Sequence, residues 1–330
     1  MAKGCLNLFL LMGMLCTPIV HADDPLPSWN DGPIKKKMIS FVQTVTNPSS
    51  TSYIPPEHRI ATFDNDGTLW VEQPLYTQIL FAIDRKLAPQ HPEWKKQKPF
   101  SLILNNEHPT NAQLSLDDLK QILIATHTGM NIEEYHKIAK EWLATTQNPR
   151  YHHLYKDMVY QPMLEVIKYL HHNGFQVYIV TGGGQEFVRA FADEVYGINS
   201  DRVIGTVGET KYEYKNNKPE LIKIPTVLLF NDEHGKPEAI NYFIGRKPII
   251  AFGNSDGDRQ MLEWTQSGDG LKLMILIHHD DAVREYAYGP DSKIGTFSDS
   301  LLNEAHANNW NIVSMKNDWK VLFPFELTKK

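Results

Sequence analysis

The chain has 330 residues, 42% hydrophobic and 22% charged, an ordinary globular usage that excludes collagen, coiled coil and wholesale disorder; no repeat period marks a solenoid or propeller. A net charge of −6 with no long basic stripe argues against a nucleic-acid partner. At roughly 100–200 residues per domain, the length allows two domains or one domain carrying an insertion.

In chain order, Lys3, the apolar run from Cys5 to Val20 and the small residue Ala22 before Asp23-Asp24 have the layout of a cleavable secretory signal. Residues 1–22 are therefore expected to be removed, leaving a periplasmic or secreted protein. Cleavage takes away one base (Lys3) and no acid, so the charge moves from −6 to −7. Both cysteines, Cys5 and Cys16, lie in that segment, so the mature chain is expected to lack disulfides, thiolate metal sites and a thiol nucleophile. No apolar run of about 18 residues follows, and no membrane span is expected after cleavage.

The mature part opens with a helix over about 34–46, whose Lys35-Lys36-Lys37 run reads as a solvated face. Arg59 to Phe63 reads as a short buried strand ending in Asp64-Asn65-Asp66-Gly67-Thr68. Residues 71–158 are helical in pattern, including a helix capped by Ser115 and another over Asn131–Ala144. A helix starting near Pro162 stops at Asn173-Gly174. The period then changes: Phe175 to Val180 is a strand running into Thr181-Gly182-Gly183-Gly184, and residues 203–224 look like short antiparallel strands turning at Lys215-Asn216-Asn217-Lys218. Pro248–Phe252, ending in Gly253-Asn254-Ser255-Asp256-Gly257-Asp258, and Leu271–Ile277 are two more core strands. Apolar strands alternating with helices specify an α/β fold with a parallel sheet covered on both faces, whose ligands sit beyond the carboxyl ends of the strands.

Three loops lie at such ends. Asp64 and Asp66 are alternate residues on an extended chain, so they point to different sides. One can attack as a nucleophile while the other gives and takes protons. An Asp-Gly turn closing a strand is also a common structural device. Thr181 and the glycines after it offer a hydroxyl and unencumbered N–H groups to an anion. Gly253–Asp258 clusters oxygen ligands of the kind Mg²⁺ prefers, or is a polar turn with Asp258 capping the next helix. Lys236, in Gly235-Lys236-Pro237, has a charge suited to a bound phosphate or the attacking carboxylate.

These four elements, in this order, resemble the haloacid dehalogenase superfamily of phosphohydrolases over about residues 59–281, in its phosphoserine-phosphatase-like branch. The resemblance implies a Rossmann-like core (residues 23–70 and 159–330) and an inserted helical cap of that superfamily's first type (71–158). It implies Asp64 as the nucleophile forming an aspartyl-phosphate, and Asp66 as the acid and base that also offers its backbone carbonyl to Mg²⁺. Thr181 with Gly182 would bind the phosphoryl oxygens, and Lys236 would be the stabilising lysine. The superfamily's fourth motif opens Gly-Asp, whereas here Asn254 holds that place. Asn254 is then the direct Mg²⁺ ligand with Asp258 as its outer partner, or Asp256 takes over. Trp70 and Glu72 lie where substrate would enter, Trp70 as a contact for a quaternary ammonium or as a wall between core and cap. His278-His279 reads as a solvated loop or a metal site. The function implied is an Mg²⁺-dependent phosphomonoesterase for a small phosphorylated metabolite. A phosphate-binding protein on a retired scaffold and a phosphotransferase are the alternatives.

Overall fold

Apolar runs without polar alternation become the central strands of the computed structural model, which describes residues 24–84, 92–105 and 114–327. Residues 1–22, the expected signal, lie outside the described residues. Strands β1 (Ile60–Phe63), β2 (Gln176–Gly184), β3 (Val203–Lys215), β4 (Lys218–Leu229), β5 (Ile250–Gly253), β6 (Leu273–His278) and β7 (Asn311–Ser314) form one sheet in the order β4-β3-β2-β1-β5-β6-β7. All neighbours are parallel except β3 with β4.

Side chains alternate across a strand, and here both sides are buried. Phe63, Ile179, Phe252, Ile275 and Ile277 pack with Met163, Val166, Ile167 and Leu170 of the helix Gln161–His172. Their neighbours Val180, Ala251, Met274 and Leu276 pack on the other side with Ala239, Ile240, Met261 and Leu262 of the helices Gly235–Phe243 and Arg259–Gln266. Helices therefore cover both faces, as the continuous apolar runs require. Phe63 and Phe252 stack at 4.3 Å between centroids under the mouth of the sheet. Burying each such ring contributes about 1.5–3 kcal/mol.

Between β1 and β2 run the helices Thr77–Asp84, Phe100–Leu104, Leu116–His127 and Ile132–Thr145. Ser115 closes a capping box with Asp118, and Asn131 caps the last helix through Glu134 N. The hairpin β3–β4 is longer than the sequence suggested. Its strands are 13 and 12 residues, and Asn216 and Asn217 both take positive φ at its turn. Only the first residues of β3 lie in the core; the rest projects as an arm. That arm grips the insertion through Gly129 N to Lys223 O (2.8 Å) and Lys223 N to Met130 O (2.9 Å).

Two expectations are corrected near the ends of the sequence. Lys35 is buried, not solvated, and bridges Asp24 (2.5 Å) and Asp31 (3.0 Å). The aromatics near the C-terminus pack on the core, Trp319 against Trp29 at 5.9 Å. They also bring an unexpected edge strand, β7, whose four residues are too few to show a period.

Candidate active site

Because β1, β2 and β5 are adjacent and parallel, the three loops meet at one edge of the sheet. Asp64 N donates to Phe252 O (2.9 Å), and the chain then turns on the Asn65 carbonyl, which accepts from Leu69 N (2.8 Å). Gly67 closes this turn at φ 76°. A Cβ there would fall 2.2 Å from Asn254 Nδ2 and 2.3 Å from Glu72 Oε1, so no other residue fits.

Lys236 is the centre of the site. It is fully buried, donating to Asp64 Oδ1 (2.7 Å) and Asp258 Oδ1 (2.6 Å). The second Asp258 oxygen accepts from Asn254 N (2.9 Å) and Ser255 N (3.1 Å). Asp258 is thus fully committed and is not available as a metal ligand. Its role is to hold Lys236 and the Asn254 loop. Asp256 Oδ1 accepts from Arg259 Nη2 (2.9 Å) and Ser298 Oγ (2.8 Å), which draws that carboxylate toward the outer helices. Asn254 is buried, its Oδ1 accepting from Thr68 Oγ1 (3.1 Å) and its Nδ2 donating to Glu72 Oε1 (2.7 Å).

Trp70 is not a substrate contact. It is 1% exposed, stacks on Phe191 at 4.7 Å, and its indole N–H donates to Asp66 Oδ1 at 2.9 Å. The wall reading holds, with the addition that this wall aims the carboxyl of Asp66. Thr181 is buried, its hydroxyl accepting from Gly183 N (3.0 Å). Gly182 lines the cavity and its carbonyl accepts from Thr206 Oγ1 (2.7 Å). His279 is neither solvated nor a metal ligand. It is buried, with Nε2 donating to the Gly67 carbonyl (2.7 Å) and Nδ1 facing Glu285 Oε2 (3.2 Å), so it steadies the turn of the first loop from behind.

Over the site is a cavity of about 310 Å³. Its floor holds Asp64, Asp66, Thr181, Gly182 and Lys236, and its roof Ile79, Leu119, Leu123 and Phe230, with Lys120 and Lys293 also lining it. Of two further acids of the site, Asp232 was not anticipated, and Glu72 was expected at the substrate entrance but not as a partner of Asn254. Asp232, directly after β4, lines the cavity beside Gly257; its position past a strand end was the available signal. Glu72 is buried against Asn254 and Tyr288, whose hydroxyl donates to Oε1 at 2.5 Å. Nothing local in the sequence points to Tyr288.

The charge balance is uneven. Asp64, Asp66, Glu72, Asp232 and Asp258 gather around the single buried ammonium of Lys236. Burial, and then the charge of Asp258, push the Asp64 carboxyl well up despite Lys236. Burial likewise raises Asp66 against the pull of the Trp70 hydrogen bond, and raises Glu72 and Asp232. Burial works to lower Lys236, but the charges of Asp258 and Asp64 outweigh it and hold the ammonium protonated. One ammonium cannot neutralise all of these carboxyls, so Asp64, Asp66, Glu72 and Asp232 resist ionisation while Lys236 holds its proton.

That deficit and an all-oxygen donor set suit a hard divalent cation. Among the described residues no three His, Cys, Asp or Glu side chains converge on one point. A cation here would be held by mixed oxygens: the Asp64 carboxylate, the Asp66 carbonyl and Asn254 Oδ1. Among the described residues no helix is long and apolar enough to cross a membrane.

A family model described as haloacid dehalogenase-like hydrolase matches residues 61–263, more than half of the chain. A conserved functionally unknown protein from Anaerococcus prevotii DSM 20548 superposes with a TM-score of 0.55 at 15% identity, over 89% of this chain and 94% of that one. A protein of unknown function from Bordetella pertussis Tohama I gives 0.51 at 14% identity, over 78% and 98%. A phosphoserine phosphohydrolase-like protein from Francisella tularensis subsp. tularensis SCHU S4 gives 0.41 at 17%, over 76% and 98%. At these identities the first two likenesses are likenesses of fold. No curated protein matches the chain.

Proposed function

The chain belongs to the haloacid dehalogenase-like hydrolases, and on that premise we propose that it is an exported, Mg²⁺-dependent phosphomonoesterase that hydrolyses a small organic phosphate through an aspartyl-phosphate on Asp64. The observation that carries this reading is Lys236, bridging Asp64 and Asp258 within hydrogen-bond reach of both at the foot of a cavity that Thr181, Gly182 and Asp66 also line. Export rests on the N-terminal segment alone.

In the first step an Asp64 oxygen attacks phosphorus, the bond from phosphorus to the ester oxygen breaks, and Asp66 gives its proton to the departing alkoxide. A carboxyl raised by burial is suited to hold that proton, and the Trp70 indole keeps it aimed. In the second step Asp66, now a carboxylate, takes a proton from a water molecule. The resulting hydroxide attacks phosphorus, the bond to Asp64 breaks, and phosphate leaves with Asp64 restored. Lys236, with the Thr181 hydroxyl and Gly182, stabilises the charge on the phosphoryl oxygens throughout. Asp64, the Asp66 carbonyl and Asn254 would hold Mg²⁺, which when bound would supply further positive charge there. A cavity of about 310 Å³ roofed by Ile79, Leu119, Leu123 and Phe230 supports a small metabolite as substrate.

The test is phosphate release from a panel of phosphomonoesters with Mg²⁺ and with chelator. Metal-dependent release by the wild type, abolished in a folded Asp64→Asn variant, is the expected result. A ligand bound by the folded, metal-loaded wild type without release would overturn it in favour of a binding protein.

A further inference from the structure

Asn254 raises a chemical problem for the cation site. A primary amide presents an oxygen on one side and an NH₂ on the other, and only the oxygen ligates. The amide is also neutral, whereas a hard cation in a buried site gains most from charge. Glu72 raises the complementary problem. Its carboxylate is 2% exposed, yet the donors it meets, Asn254 Nδ2 at 2.7 Å and the Tyr288 hydroxyl at 2.5 Å, are neutral. The buried ammonium nearby already serves Asp64 and Asp258. A buried carboxylate without a cation costs several kcal/mol.

We propose that the two problems solve each other: Glu72, on the cavity wall, is a positioning residue that captures the amide NH₂ of Asn254, fixes Asn254 Oδ1 as the cation-facing atom, and supplies from beside it the negative charge that the amide lacks. The proposal rests on the Mg²⁺-dependent reading above. The geometry supports it at three points. The Glu72–Asn254 contact leaves Oδ1 on the side of Thr68, in the first loop. Gly67, pressed against both Glu72 Oε1 and Asn254 Nδ2, brings the backbone next to Asp66 against the same pair. Tyr288 holds the same Glu72 oxygen from behind, so the carboxylate is fixed before any cation arrives. Outer residues that orient a ligand typically change metal affinity 10–100-fold when altered.

The test is Mg²⁺ titration calorimetry on the purified protein, repeated with Mn²⁺ by electron paramagnetic resonance, for wild type, Glu72→Gln, Asn254→Asp and the double variant. Thermal melts in chelator confirm that each is folded. Glu72→Gln should bind Mg²⁺ about 10–100-fold more weakly with an undiminished melting temperature in chelator. The double variant, which moves the charge from position 72 onto the ligand itself, should recover most of that affinity. Recovery on a background that already lacks Glu72 is something a merely structural role would not give.

Wild-type affinity in Glu72→Gln, or a double variant no tighter than Glu72→Gln, would overturn the proposal while leaving the phosphatase reading intact. So would unchanged cation affinity with a raised KM, which would make Glu72 a substrate contact. A folded wild type that binds no Mg²⁺ would overturn both readings together. Should Glu72→Gln fail to fold, Tyr288→Phe, which frees Glu72 without removing it, should weaken Mg²⁺ binding in the same direction, and wild-type affinity there would overturn the proposal.

Discussion

Replacing Lys236 with Met keeps the length of the side chain and removes the ammonium that bridges Asp64 and Asp258. In the wild type that ammonium lies 2.7 Å from Asp64 and 2.6 Å from Asp258, with all three side chains nearly inaccessible to water. Removing one partner of a buried ion pair costs roughly 3–5 kcal/mol, because the remaining charge is left unpaired. Here two carboxylates are left, and burial of the Met thioether offsets only part of that. A loss of about 3 kcal/mol at neutral pH, in chelator, corresponds to a fall in melting temperature of about 5 °C for a protein of this size. The sign of the pH dependence follows from Asp64. Its folded-state value is already above its ordinary 3.8 and rises further once Lys236 is gone. An acid raised on folding favours the folded state below its unfolded value, and that advantage is lost as pH rises through the folded value. The variant's deficit should therefore be largest at neutral pH and above and shrink as pH falls toward the ordinary 3.8 of the unfolded chain. Melts of both proteins from pH 4.5 to 8 measure this directly. A deficit below about 1 kcal/mol at neutral pH, or one that does not shrink with acid, would refute the charge-balance reasoning and return Lys236 to the role of a packing residue.

Two further changes probe the walls of the site. Trp70→Phe keeps a ring against Phe191 but deletes the N–H that holds Asp66. Turnover should fall about tenfold with KM little changed, and an unaltered kcat would show that the indole does not aim the acid. Glu186 ties the insertion to the helix after the glycine loop through His136 at 2.7 Å. Burial works to raise its carboxyl, but the hydrogen bond from His136 and the charge of Arg189 outweigh this and hold it at about 2, below its ordinary 4.5. A depressed acid contributes stability above its unfolded value that is lost as pH falls through the folded one, so the contribution, about 3 kcal/mol at most, should vanish between about pH 4.5 and 2. Glu186→Gln should accordingly cost about 1–3 kcal/mol at pH 7 and almost nothing near pH 2; an equal cost at both would assign the loss to packing.

How far the sequence carried the fold depended on whether each signal was local. The strands at Arg59–Phe63, Pro248–Phe252 and Leu271–Ile277 announced themselves because both faces are buried, which leaves an uninterrupted apolar run of a length only a central strand uses. Ser115, Asn131 and Pro162 marked helix starts because capping is settled within one turn. β7 escaped because an edge strand of four residues, flanked by Asn311 and Ser314, has neither run nor alternation. The length of the β3–β4 arm escaped because its outer half packs on the insertion, so its pattern answers to residues such as Met130 that are remote in sequence.

The site divides along the same line, and the division explains which roles had to be revised. Asp64, Asp66 and Asn254 come just after a strand and Thr181 and Gly182 lie in the last residues of β2, so a rule about strand ends finds them without knowing the partners. What they do is set by groups that arrive from elsewhere: Lys236 selects Asp258, Trp70 selects Asp66, and Glu72 selects the amide of Asn254. Trp70 read as a substrate contact because an aromatic near a mouth is ambiguous until its N–H is seen to have an acceptor. Asp258 read as an outer partner of Asn254 or as a helix cap because a carboxylate in an oxygen-rich loop is ambiguous until an ammonium is seen beside it. A buried polar atom must be satisfied by something, and in this site the satisfying partners, 4 to 182 residues away along the chain, turn an inventory of acids into the ordered arrangement on which the proposed mechanism rests.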